Sequence, residues 1–223
     1  MQPFPLANIF IDTFVHGGLI MWPLLVLSLL SLAVIVERLV WWIASRRALD
    51  TAQLSRVYQA LSQGHEDQAR DLSAHSADPR LRVIAHSLEH SETDIDVAIQ
   101  VKAGEELKVA RRFLTVMDTI ITLAPLLGLL GTVTGIMQSF KFVGGDQELA
   151  AAKVSGGIGE ALIATAFGLG VAILTLVPFN TFGSRAEELR QELEDVGKNV
   201  RLLLEKGRRR NERDPLGVAR SAE

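Results

Sequence analysis

The sequence predicts an all-α membrane protein with three transmembrane helices and long cytoplasmic helical extensions. Three observations carry this. Of its 223 residues, 48% are hydrophobic, more than an ordinary soluble domain carries once helix-breaking and charged residues are counted. Three stretches, Gly17–Val36, Thr119–Phe140 and Ala161–Ser184, contain no charged side chain. At about 1.5 Å of rise per residue, each is long enough to cross about 30 Å of hydrocarbon. The charged remainder follows helical rather than strand spacing.

Composition also excludes. The chain has no cysteine, which rules out disulfides, thiolate metal sites and cysteine nucleophiles. A net charge of -3 gives no support to nucleic-acid binding, which requires a basic face.

The first apolar run precedes the first basic residue, Arg38. A cleaved signal peptide needs a positive start, so this run is expected to stay as a span. Trp22, Trp41 and Trp42 flank it, where amphipathic rings favour the headgroup region. Basic residues cluster at alternate flanks: Arg38, Arg46 and Arg47 after span one, Lys108, Arg111 and Arg112 before span two, and Arg185 and Arg190 after span three. The remaining flanks carry only Lys141 and Lys153. Because basic flanks stay in the cytoplasm, the expected order follows. It is an external segment at 1–16, transmembrane helix 17–44, a cytoplasmic helical region at 45–112, transmembrane helix 113–140, an external loop at 141–156, transmembrane helix 157–184, and a cytoplasmic helix and tail at 185–223.

The polar pieces read as helices. From Asp94 no proline interrupts the chain before span two, which predicts one helix rising into the membrane. Residues between Gln63 and Pro79 read as loops between short helices. In the tail, Leu189, Leu193, Val196, Val200 and Leu203 recur at steps of four and three, a seam for a neighbouring helix. The Arg208, Arg209, Arg210 cluster and Pro215 are expected to end that helix, with a disordered terminus beyond.

Candidate chemistry lies in spans two and three. Thr115, Thr119, Thr122, Pro125, Gly128, Thr132, Gly135 and Ser139 form a small and polar stripe, with Gly131 and Gly135 making a G-x-x-x-G pair. Ala161, Thr165, Gly168, Ala172 and Thr175 form a second stripe. Small residues let membrane helices approach closely, so Gly128, Gly131, Gly135, Gly168 and Ala172 are candidate packing positions. Threonine-bearing stripes on consecutive helices suit a water-filled pore as well as packing. Thr132 and Thr165 are each eight residues inside the expected outer boundary, about 12 Å deep at helical rise. Glu160 is the only carboxylate from Val154 to Ser184. It is either a functional intramembrane acid or an interfacial group favoured at a helix N-terminus. Asp118 lies near the headgroups and says less. No Asp, Glu, His or Lys stands at mid-membrane depth, so a proton pathway through these helices needs its titratable carrier from a partner chain.

Other signals are weak. His86 and His90 stand at i and i+4 but have no placed third ligand, and read as surface residues. No phosphate loop, Ser/His/Asp arrangement or intramembrane acid pair is present, so no catalytic residue, metal or cofactor is expected.

The segment Ala124-Pro-Leu-Leu-Gly-Leu-Leu-Gly-Thr-Val-Thr-Gly-Ile-Met-Gln-Ser-Phe140, followed by Gly157-Ile-Gly-Glu-Ala-Leu-Ile-Ala-Thr-Ala-Phe-Gly-Leu169, resembles the signature of the MotA/TolQ/ExbB proton channel family. It is closest to the ExbB and TolQ branch, because the MotA branch has four spans. The resemblance implies a homo-oligomer of five copies in the bacterial inner membrane, around the helices of a single-span ExbD- or TolR-like partner whose aspartate carries the proton. It also implies a TonB- or TolA-like effector. It carries the pore threonines onto Thr132 and Thr165 and the pore glutamate onto Glu160. Where the family often has Pro-Gly-Ile before the glutamate, this chain has Gly156-Gly157-Ile158. The implied function is a proton-channel stator that energises TonB-dependent outer-membrane transport. The alternatives are a TolQ-like role in envelope integrity and a passive scaffold.

One test follows from the missing mid-membrane carrier. The purified chain reconstituted alone in vesicles should show little specific proton conduction. Strong proton-selective conduction without a partner would remove the argument for an imported carboxylate.

Overall fold

The structure, a computed structural model, describes residues 17–91, 94–141 and 147–213. Among these residues there are seven helices and no strand: α1 (Met21–Arg47), α2 (Thr51–Gln63), α3 (Glu66–Ser73), α4 (Pro79–Glu89), α5 (Ile95–Ala110), α6 (Leu114–Phe140) and α7 (Gln147–Arg213). Three helical stretches are long and apolar enough to span a bilayer, on α1, on the α5–α6 run and on α7. The chain forms two compact units. One holds the residues up to Arg38 together with Phe113–Phe182; the other holds Leu39–Arg112 and the chain from Gly183.

The first unit is apolar on the outside and mixes large apolar and small residues on the inside. Its core comprises Met21, Leu24, Ile120, Ala124, Ala164 and Val171, with Leu27, Leu127 and Phe167 packed around them. Leu126, Leu129, Leu162 and Leu174 are exposed, the last at 73%. In water such a surface would aggregate; hydrocarbon is the solvent it fits, with backbone polar groups satisfied inside the helices. Between α1 and α7 the buried hydroxyls of Ser31 and Thr175 bond at 2.6 Å. Arg38 is buried, only 1% exposed, paired with Glu37 at 2.5 Å. Its guanidinium lies 5.6 Å from the Phe113 ring centroid.

Two expectations need correction. The helix from Asp94 does not run unbroken into span two. It stops at Ala110, and Phe113 takes a left-handed φ of 65° before α6 begins. The Arg111 and Arg112 amides bond back to Leu107 and Val109, the tightened last turn of an ending helix. The second correction concerns the expected external loop at 141–156 and the expected helix end. Helix α7 already begins at Gln147 and continues through the arginine cluster to Arg213. Pro215 and the terminus lie outside the described residues.

The second unit is a helical bundle built on the predicted seam. Leu193, Val196 and Val200 are buried; Leu204 takes the next buried place and Leu203 its edge. Val196, Val200 and Leu204 pack against Leu54, Val57 and Leu61 of α2 and Leu81, Ile84 and Leu88 of α4. Gly64 ends α2 at φ 82°, its carbonyl accepting from Asn211 at 3.2 Å. Only glycine takes that conformation without strain. Asp78, fully buried, joins three groups. It caps α4 through the Arg80 amide at 2.9 Å, accepts the Asp50 amide at 3.0 Å and pairs with the Arg80 guanidinium at 2.7 Å. The bond to Asp78 raises the Arg80 pKa further above its already high value.

Asp78→Ala therefore removes a cap and strands a half-buried arginine and an amide. It should destabilise this unit by about 3 kcal/mol, read as faster hydrogen exchange in α2 and α4 of the detergent-solubilised chain. Asp78→Asn, which keeps an acceptor, should cost less; equal exchange in all three proteins would refute the assignment.

Candidate functional site

The site is built where α6 and α7 run antiparallel at backbone contact. A methyl group added at Gly131 would stand 2.7 Å from Ala164 Cβ; at Gly128, 3.0 Å from Thr165 Cα; at Gly135, 2.9 Å from the Gly157 carbonyl oxygen. At Gly168 it would overlap the Ala124 carbonyl oxygen, which is backbone and cannot rotate away. All four candidate packing glycines thus lie in one seam, and Ala172 is buried near it. As residue number rises along α6 it falls along α7, which fixes the direction of the pair.

This register decides the threonine levels. Gly131 abuts Ala164 and Gly128 abuts Thr165, so in this antiparallel pair Thr165 stands level with the Gly128 turn and Thr132 lies within about one turn of it, toward Gly135. Both are half-buried. Thr165 Oγ1 donates across the seam to the Gly128 carbonyl at 2.9 Å, a carbonyl reachable because residue 128 has no side chain. Thr132 Oγ1 donates within its helix to Leu129 O at 2.7 Å. Each hydroxyl proton is thereby occupied, but each oxygen keeps lone pairs that can accept from a water or a protonated carboxyl group.

The stripe on α6 is not one face. Thr115, Thr119 and Thr122 are exposed, whereas Gly128, Gly135 and Ser139 are buried against α7. Steps of three and four average less than 3.6 residues, so such a stripe precesses around a straight helix. The exposed threonines back-bond within α6, Thr119 to Thr115 O and Thr122 to Asp118 O. On α7 the stripe stays on the packed side: Ala161, Gly168, Ala172 and Thr175 are buried.

Glu160 is half-buried, and its Oε1 fills the space over Gly18, where any Cβ would overlap it. Gly18 has φ 74°, a left-handed turn just before α1. Sequence reasoning missed this seat; the adjacent Gly17–Gly18 pair before the first apolar run was the available signal. In the second unit, ligand atoms of His86, Glu89 and His90 lie within 4.8 Å of one another at the exposed end of α4. The His90 ring nitrogen Nδ1 is already engaged with the His86 carbonyl at 3.0 Å. The trio adds a third potential ligand that sequence spacing had not placed, but nothing encloses it.

With this geometry established, the comparisons are informative. Residues 68–195 match the model of the MotA/TolQ/ExbB proton channel family. The chain is similar to an ExbB-like biopolymer transport protein (ExbB-like 1) from Synechocystis sp., 37% identical over 86% of this chain and 78% of the relative. It is 33% identical to the biopolymer transport protein ExbB of Neisseria gonorrhoeae, over 72% of this chain and 69% of that one. A shorter match, 40% identical over 41% of this chain and 40% of the relative, is to the Tol-Pal system protein TolQ of Pseudomonas aeruginosa.

The seam yields a paired test. Gly168→Ala, which meets backbone, should lower the melting temperature of the solubilised protein by several degrees. Gly170→Ala, which meets nothing within 4 Å in this chain, should leave it unchanged or slightly raised. Equal effects would contradict the close approach.

Proposed function

The chain belongs to the MotA/TolQ/ExbB proton channel family, and from that premise we propose that it is the channel subunit of an ExbB-type motor in the bacterial inner membrane. In this reading five copies surround the spanning helices of an ExbD-like partner. Proton flow drives a TonB-like effector that energises outer-membrane transport. The carrying observation is the glycine-packed α6–α7 pair. It carries two hydroxyls, Thr132 and Thr165, within about one helical turn of each other along the pair, in stretches where neither helix has any titratable side chain from Thr119 to Phe140 or from Ala161 to Ser184. Hydroxyl oxygens can relay or receive a proton through hydrogen bonds but cannot store one near neutral pH. The storing group is then a carboxylate of the partner. Glu160 supplies negative potential toward the mouth, concentrating cations there.

The ExbB branch is favoured over TolQ by extent of match: the ExbB and ExbB-like relatives align over most of this chain, the TolQ relative over less than half. A passive scaffold would use the seam equally well but gives no reason for a carboxylate beside it.

Thr165→Val keeps the side-chain shape and removes the hydroxyl. Membrane hydrogen bonds average about 0.6 kcal/mol, so packing and membrane level should hardly change, while energised uptake should fall at least tenfold. Normal uptake at normal protein level would take Thr165 out of the pathway. Deleting the chain separates the branches. Loss of TonB-dependent uptake with intact detergent resistance is expected, and the reverse pattern would assign it to the TolQ role.

A further inference from the structure

The second unit contains a cleft of about 240 Å³ that the proton-pathway reading does not use. Its walls are two helix faces. α1 contributes Trp42, Ser45 and Arg46, with Leu49 just beyond its end; α7 contributes Arg185, Glu188, Leu189 and Glu192; Pro79 closes one end. The α1 set follows i, i+3, i+4 and the α7 set i, i+3, i+4, i+7, so each is a single helical face.

Three features of the cleft are unusual together. Neither Arg46 nor Arg185 enters an ion pair with Glu188 or Glu192, or with any other carboxylate among the described residues. Four charges line one cleft without ion-pairing to each other; the nearby Arg80 is paired with Asp78 and also feels the charge of Glu192. Next, the Trp42 ring, only 5% exposed, forms a fixed apolar wall beside the charges. Finally, the cleft lies where apolar sequence ends. Arg185 directly follows the charge-free run on α7. On α1 the exposed Leu39 and Ile43 form an apolar column on the side of Arg46.

We propose that this cleft binds the headgroup of a zwitterionic phospholipid bearing a primary ammonium, the phosphoethanolamine type. The order of charges selects it. Moving along α7 away from the apolar run, a cation comes first and the two carboxylates follow, Arg185 before Glu188 and Glu192. A phospholipid entering with its tails along Leu39 and Ile43 presents phosphate first and ammonium beyond it. The phosphate meets Arg46 and Arg185, whose guanidinium forks suit phosphate oxygens. The ammonium, with its N–H donors, meets Glu188 and Glu192. A choline headgroup has no such donors, and an anionic glycerol headgroup would leave both carboxylates without a cation. The proposal rests on the cleft alone and stands or falls apart from the proton pathway.

The test uses the full chain, delipidated in mild detergent and titrated with phosphatidylethanolamine, phosphatidylglycerol or phosphatidylcholine while bound lipid is counted by native mass spectrometry. Phosphatidylethanolamine should be retained in preference to both others. Arg46→Gln with Arg185→Gln should weaken its retention at least about tenfold. Glu188→Gln with Glu192→Gln should abolish the preference over phosphatidylglycerol. Helicity and oligomer size monitor folding, and the Arg→Lys pair should retain most binding. The proposal is overturned if phosphatidylcholine or phosphatidylglycerol binds as well as phosphatidylethanolamine, or if the folded double-arginine variant retains lipid normally. Full displacement by equimolar soluble glycerophosphoethanolamine would likewise overturn the lipid assignment, pointing to a free headgroup compound instead.

Discussion

Backbone contact between α6 and α7 is the constraint from which the candidate site derives. With Gly128, Gly131, Gly135 and Gly168 on one seam, the two helices approach closer than any side chain beyond hydrogen would allow. In hydrocarbon there is no hydrophobic drive to bring helices together; van der Waals contact and interhelical hydrogen bonds must do it. The seam provides both, because the same missing side chain at Gly128 that permits contact also bares the carbonyl that Thr165 reaches. Register, depth and hydroxyl orientation are thus consequences of one packing choice.

That choice also explains the inverted distribution of side-chain size. Leucines such as Leu126, Leu129 and Leu174 stand outside, while glycine, alanine and threonine line the α6–α7 seam beside a core of Met21, Leu24 and Ile120. Polar groups inside are few and nearly all engaged: Ser31 with Thr175, Thr165 with Gly128, Ser139 with Gly135 O. A seam of small and hydroxylic residues leaves any stored charge to a group from outside the chain, which is the physical content of the partner requirement.

The second unit follows water-soluble rules instead. Its α7 seam buries Val196, Val200 and Leu204 against α2 and α4, and its polar anchors, Asp78 above all, are fully bonded. Among the described residues the conspicuous exception to polar satisfaction is Trp42 Nε1.

Much of this protein was legible in one dimension. Charge-free runs of spanning length, the asymmetry of basic flanks and the period of the tail seam depend only on local composition and helical geometry, so the spans and the buried face of α7 could be read directly. The signature around Gly128 to Ser139 and Glu160 to Gly168 also marked the family. What the sequence could not determine depends on pairing between distant segments or on backbone angles. The straight stripe on α6 proved to precess, since only the packed partner shows which part of it is buried. The break at Phe113 is held by a left-handed residue that no glycine or proline announces. Gly18 under Glu160, Ser31 against Thr175 and Asp78 bridging Asp50 to Arg80 each join residues far apart in the chain. Such contacts are set by how helices dock, and docking is a property of shape in three dimensions rather than of local propensity.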